Sequence, residues 1–185
     1  MSALLIQAPW AQAMSLSGWG MLSYPNGGST GTPGFKTSAL SDRYGGGASV
    51  EYSLSKKWGF EFGLFYSPRG MKYVTPGAQE EQISFQALSV PILIRSTAFR
   101  NFGFGFGAYY SRALGASPSI NQLGGLKKDD VGIVVSARIK APLLDPFYLV
   151  GDLRYLHGLT SLSPSSEAQI FLRDAQLLLG LEIKL

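Results

Sequence analysis

Nine charged side chains fall at alternate positions of otherwise apolar or glycine-rich stretches: Glu51, Glu61, Arg95, Arg138, Lys140, Asp152, Arg154, Glu182 and Lys184. Five are basic and four acidic, so gathered on one face they could line an ion path or neutralise one another. Other chemistry has fewer candidates. The chain has one His, His157, and no Cys. Disulfides, thiol catalysis, Cys-bound zinc and His-rich metal sites are thereby excluded. Gly103-Phe104-Gly105-Phe106-Gly107 has the glycines of a phosphate cradle, but such a cradle needs a strand-loop-helix setting. Strict Gly/Phe alternation predicts a strand instead. Lys127-Lys128-Asp129-Asp130 reads as solvated loop charge, the lysines competing with any cation for the two carboxylates. The 16 Lys and Arg are scattered, with no run of five to mark a nucleic-acid patch. No catalytic residue, metal site or cofactor is expected.

The elements that must position those charges have a period of two. Val50 and Tyr52 alternate with Glu51 and Ser53, and Trp58, Phe60, Phe62, Leu64 and Tyr66 alternate with Gly59, Glu61 and Gly63. The same pattern recurs around Leu88 to Ile94, Phe102 to Tyr110, Val131 to Ile139, Phe147 to Tyr155 and Leu177 to Leu185. An eighth strand is expected near Ser15 to Tyr24, where Leu16, Leu22 and Tyr24 compete with Trp19 and Met21 for the apolar face. Connections alternate in length: long at 25–44, 68–82, 112–129 and 158–167, short at 56–57, 96–101 and 141–146. That alternation predicts an up-and-down meander with its long loops gathered at one end.

Length and composition agree. The 185 residues suit one domain, 45% are hydrophobic, and only 15% are charged. No apolar run reaches the ~18 residues of a membrane helix. Residues 1–13 run through Leu4-Leu5-Ile6 to Ala11-Gln12-Ala13 and are expected to be the remnant of a signal peptide, leaving 14–185 as the barrel domain.

The side on which the apolar face lies decides the class. An eight-stranded barrel is barely wide enough inside for ordinary side chains. It could not hold Tyr52, Trp58, Tyr66, Phe102, Phe104, Phe106, Tyr110, Phe147 and Tyr155 together. Turned outward, these aromatics meet lipid near the strand ends, and inward glycines leave room for Phe65, Tyr109 and Tyr148. The predicted fold is all-β, an eight-stranded antiparallel up-and-down transmembrane β-barrel with the nine charges in its lumen. Eight strands favour a charge plug over a conducting path. A narrow ion or small-solute channel stays open as an alternative, as does a soluble lipocalin-like barrel carrying a hydrophobic ligand.

The chain resembles the small outer-membrane β-barrel proteins of Gram-negative bacteria, of the OmpA/OmpX type and in particular the PorT-like group. The likeness rests on the eight-strand layout, on Leu88-Ser-Val-Pro-Ile-Leu-Ile-Arg95 and on Asp152-Leu-Arg-Tyr-Leu-His-Gly-Leu159. It implies an outer-membrane location, contact with outer-membrane lipid and insertion by the barrel-assembly machinery. It implies no single activity. A non-enzymatic monomer is expected, with four surface loops in structural, adhesive or binding roles and no nucleic-acid partner. Two positions depart from the pattern. Leu185 stands where the assembly machinery commonly reads an aromatic, and His157 stands where a small polar residue is usual. His157 also lacks the His-x-Ser-Asn setting of barrels that deacylate lipid, and reads as a rim histidine.

Overall fold

The computed structural model describes residues 14–30, 36–38, 43–74, 81–99, 101–115, 119–120, 124–163 and 169–185. The stretch 1–13, expected to be a signal-peptide remnant, lies outside them. Two-residue alternation produces eight long strands. The first four are β1 (Met14–Thr30), β2 (Arg43–Ser53), β3 (Trp58–Val74) and β4 (Glu81–Phe99). The others are β5 (Phe102–Ala113), β6 (Asp129–Pro142), β7 (Phe147–Gly158) and β8 (Gln169–Lys184). Each pairs antiparallel with its neighbour in sequence, and β1 pairs with β8 from Ser15↔Lys184 to Thr30↔Gln169. The sheet thus closes on itself as an up-and-down barrel. Lys36–Ser38 adds a short rung beside the far end of β3, and Ser119–Ile120 pairs with Gly124–Gly125.

Over a central belt every strand turns its apolar face outward. Phe60, Phe62, Leu64 and Tyr66 on β3, and Leu177, Leu179 and Leu181 on β8, are each 40% or more exposed. A continuous belt of that kind belongs in lipid, and the lipocalin-like alternative falls with it. The ambiguity in β1 resolves the same way. Leu16, Leu22 and Tyr24 face out, while Trp19 and Met21 are buried inside with Phe65, Val150 and Leu178. Glycine makes that interior possible. A Cβ on Gly63 would lie 2.5 Å from the Phe65 ring, and one on Gly105 would lie 2.7 Å from Arg95 Nη1.

The strands run further than the alternation suggested. Pro68↔Gln86 through Tyr73↔Glu81 continue the β3–β4 ladder through a stretch expected to be loop, and β1 continues to Thr30. The physical reason is a reversal of polarity along the wall. Beyond the lipid belt the outward residues are polar, as at Gln82, Ser84, Gln86 and Arg173. The inward ones there are Met71, Ile83, Ile170 and Leu172, which form a buried cluster with Leu126 and Leu162. At this end the barrel is built like a soluble protein, so a search for outward apolar residues reads it as loop. At the other end the first turn takes four residues, 54–57, rather than two, with Ser55 Oγ accepting the Trp58 N–H at 3.1 Å.

The reversal sets an expected outcome. Leu179→Arg, at the lipid-facing centre of β8, should cost about 2–4 kcal/mol, whereas Ser84→Arg should change stability by no more than about 0.5 kcal/mol. Denaturant titration of the barrel refolded into lipid vesicles measures both. Equal costs would contradict the placement of the belt.

Candidate functional site

Inward parity on six strands brings the polar face to the middle of the lumen, where two carboxylates act as hubs. Glu61 comes from β3 and Asp152 from β7. Arg95, on β4, donates from Nε to Glu61 Oε2 at 2.7 Å and from Nη2 to Asp152 Oδ2 at 2.6 Å. Arg138, on β6, donates from Nη2 to the same two oxygens at 2.5 and 2.9 Å, and from Nη1 to Glu51 Oε2 at 2.9 Å. Arg154, beside Asp152 on β7, reaches Glu61 Oε1 at 2.7 Å and Asp152 Oδ2 at 3.0 Å. Ser136 Oγ receives Arg95 Nη1 at 2.5 Å and donates in turn to Asp152. The three arginines and the two acidic residues are each 4% exposed or less.

Toward the short-turn end the network continues through Lys140, whose Nζ lies 3.3 Å from Glu51 and 2.9 Å from Glu182. Four cations therefore meet four carboxylates, and the cluster is formally neutral. Aromatic faces complete the shell. Arg138 lies 4.9 Å from the Trp19 ring centre and Arg154 lies 4.8 Å from that of Phe65. Trp19 itself is held by its indole N–H, which donates to Ser49 Oγ at 2.9 Å.

Eight of the nine sequence-predicted charges share this cluster. The ninth, Lys184, sits exposed at the short-turn mouth, 4.2 Å from the Tyr148 ring centre and 3.1 Å from its hydroxyl. Three further buried charges among the described residues lie in the lumen toward the long-loop end and were not expected there: Arg69, Asp130 and Asp174. Arg69 Nη1 lies 3.7 Å from Asp130, and its Nε lies 4.0 Å from Asp174. Tyr109 donates its hydroxyl to Asp130 at 2.7 Å, and Ser23 and Gln176 donate to Asp174 at 2.6 Å each.

Asp130 corrects the reading of 127–130 as solvated loop. Asp129 is exposed, but Asp130 opens the inward face of β6 and is buried. Arg69 was hidden because Pro68 and Gly70 read as a turn. Carrying the Leu177–Leu185 parity back along β8 would have found Asp174. His157 points outward, half-buried, its ring 6.4 Å from that of Tyr155.

Each oxygen of Glu61 and Asp152 accepts a hydrogen bond, from Arg95, Arg138, Arg154 or Ser136. Among the described residues, no group of three His, Cys, Asp or Glu is placed to hold a metal ion. The arrangement can fill space, compensate charge and brace six strands.

The comparisons bear on this architecture directly. Residues 27–163 match a family model described as an outer membrane protein beta-barrel domain. That description is general and does not name the PorT-like group. No curated protein matches the chain. Among solved structures, the outer membrane protein OprG from Pseudomonas aeruginosa superposes with a TM-score of 0.70 at 13% identity, covering 95% of this chain and 96% of that one. The solid-state NMR structure of AlkL in DMPC bilayers gives 0.53 at 14% identity, covering 100% and 96%. Ail, the attachment invasion locus protein of Yersinia pestis, in complex with the heparin analogue sucrose octasulfate, gives 0.52 at 13% identity, covering 94% and 99%. The family match spans well over half of the sequence, and this chain belongs to the outer membrane protein β-barrel family, with the outer membrane as its location.

Proposed function

We propose that the barrel is a sealed, non-enzymatic scaffold that anchors a recognition surface in the outer membrane. The observation that carries this reading is the convergence of Arg95, Arg138 and Arg154 on Glu61 and Asp152, all buried, at mid-lumen. An ion crossing there has to break several charge-assisted hydrogen bonds in a low-dielectric space. A second barrier lies beyond it. Leu126 and Leu162, from segments that connect the strands, fill the lumen with Met71, Ile83, Ile170 and Leu172. Backbone bonds from Lys127 N–H to Leu162 and from Leu162 N–H to Ile170, each 2.8 Å, tie those segments to the wall. By the general rule for such barrels, the long-loop end faces the cell exterior and the short turns face the periplasm. Binding or adhesion then belongs to the outer end, as the strands below it are rigid. Ail carries attachment in its name and a heparin analogue in its crystal, but at 13% identity it lends this chain a fold and not a ligand.

Glu61→Ala and Arg138→Ala should each destabilise the barrel by about 3–5 kcal/mol, because each leaves a buried charge unpaired. The double variant should cost less than the sum of the two. In planar bilayers the parent protein should be silent. Unchanged unfolding midpoints together with a parent conductance, its selectivity shifted in the single variants, would establish the channel reading instead.

A further inference from the structure

One buried arginine in the lumen makes no hydrogen bond with its guanidinium group. Arg69 is 1% exposed, yet none of its three guanidinium nitrogens has an acceptor in bonding geometry among the described residues. The ionic layer is different in kind. There every guanidinium nitrogen of Arg95 and Arg138 donates to a carboxylate or a hydroxyl. Burying donors without acceptors is costly, so Arg69 demands one.

The polar groups around Arg69 are close but already committed. Its guanidinium reaches across from β3 to lie 5.0 Å from the Tyr109 ring centre on β5. Asp130 stands 3.7 Å from Nη1 and Asp174 stands 4.0 Å from Nε, near enough to balance charge and too far for a hydrogen bond. Each oxygen of both carboxylates has another donor. Tyr109 and Thr160 hold Asp130, while Ser23 and Gln176 hold Asp174. A row of buried hydroxyls, Ser67, Ser89 and Ser111, runs from β3 to β5, and Ser111 is the cross-strand partner of Asp130. This polar group lies between the two seals. Toward the long loops, the next inward residues after Arg69 and Asp174 are Met71 and Leu172 of the hydrophobic cap. In the other direction Asp174 is followed by Gln176, the cross-strand partner of Arg154 in the ionic layer.

We propose that Arg69, Asp130 and Asp174 form a binding site for water, enclosed between the ionic layer and the cap. One positive charge already faces two negative ones, so an anion would add repulsion and could donate nothing to the carboxylates. A cation offers no lone pair to a guanidinium. A neutral hydroxylic ligand does both tasks: its oxygen accepts from Arg69, and its protons go to the second lone pairs of the carboxylates. Gaps of 3.7 and 4.0 Å are short enough for one oxygen to bridge from the side. Among such ligands water is the smallest, and several polar partners are what a buried water requires. The inference rests on the reading of the lumen as sealed, because only between two barriers is this water distinct from a continuous file.

Solid-state NMR of the full chain in lipid bilayers, with arginine side chains labelled, tests the site by polarisation transfer from water protons. Arg69 should show a water contact, as exposed Arg112 does, while Arg95, Arg138 and Arg154 show none. Replacing chloride by sulfate in the buffer should leave the Arg69 signals in place. Absence of a water contact at Arg69, with the other three also dry, overturns the proposal and leaves the seal standing. Water at all four buried arginines overturns both the enclosed site and the sealed lumen. A chloride-dependent shift at Arg69 would assign the site to an anion and overturn the proposal as well.

Discussion

Charge cannot face hydrocarbon, and in this chain that single constraint dictates the interior. Once the outward face is committed to lipid, every polar group on the strands must be satisfied within a lumen only a few side chains wide. Isolated ions there would be prohibitively costly, so acids and bases have to arrive close to one another. Glu61 and Asp152 meet that demand as shared acceptors for three arginines. Glycine on the inner face follows from the same constraint, because guanidinium groups and rings occupy the space that Cβ atoms would otherwise take.

The wall changes solvent along its own length. Over the lipid belt the strands are apolar outside and polar inside. Beyond it the parity of side chains is unbroken but their chemistry reverses, with Met71, Ile83, Ile170 and Leu172 inside and polar residues outside. The buried Arg69–Asp130–Asp174 group belongs with this upper section, near the apolar cluster. The lumen is therefore filled by two unlike materials, a hydrogen-bonded ionic layer and a hydrophobic cap. The proposed anchor reading rests on both.

Strand count, inward parity and the eight charges of the network were legible from the sequence, because a period of two is unambiguous wherever one face is wholly apolar. Legibility failed where that premise failed. In β1 the lumen accepts Trp19 and Met21, so both faces look apolar and the strand loses contrast. At 68–86 the polarity reverses, and Pro68 and Gly70 imitate a turn in a ladder that continues past them. Asp130 was missed for a related reason. Its neighbours Lys127, Lys128 and Asp129 are exposed, and only the exact strand start separates it from them. Pairing partners were beyond reach altogether, since register between strands such as β3 and β6 depends on the closed barrel and not on any local pattern.

The central claim is that three arginines are locked to two carboxylates in mid-lumen. Solid-state NMR of the arginine-labelled protein in lipid bilayers tests it most directly, through deuterium exchange at the Nε–H groups and through-space contacts to carboxylate carbons. Arg95, Arg138 and Arg154 should exchange slowly and show contacts to Glu61 and Asp152, while exposed Arg112 exchanges at once. Fast exchange at all three, with no carboxylate contact, would mean a hydrated and open lumen and would contradict the account.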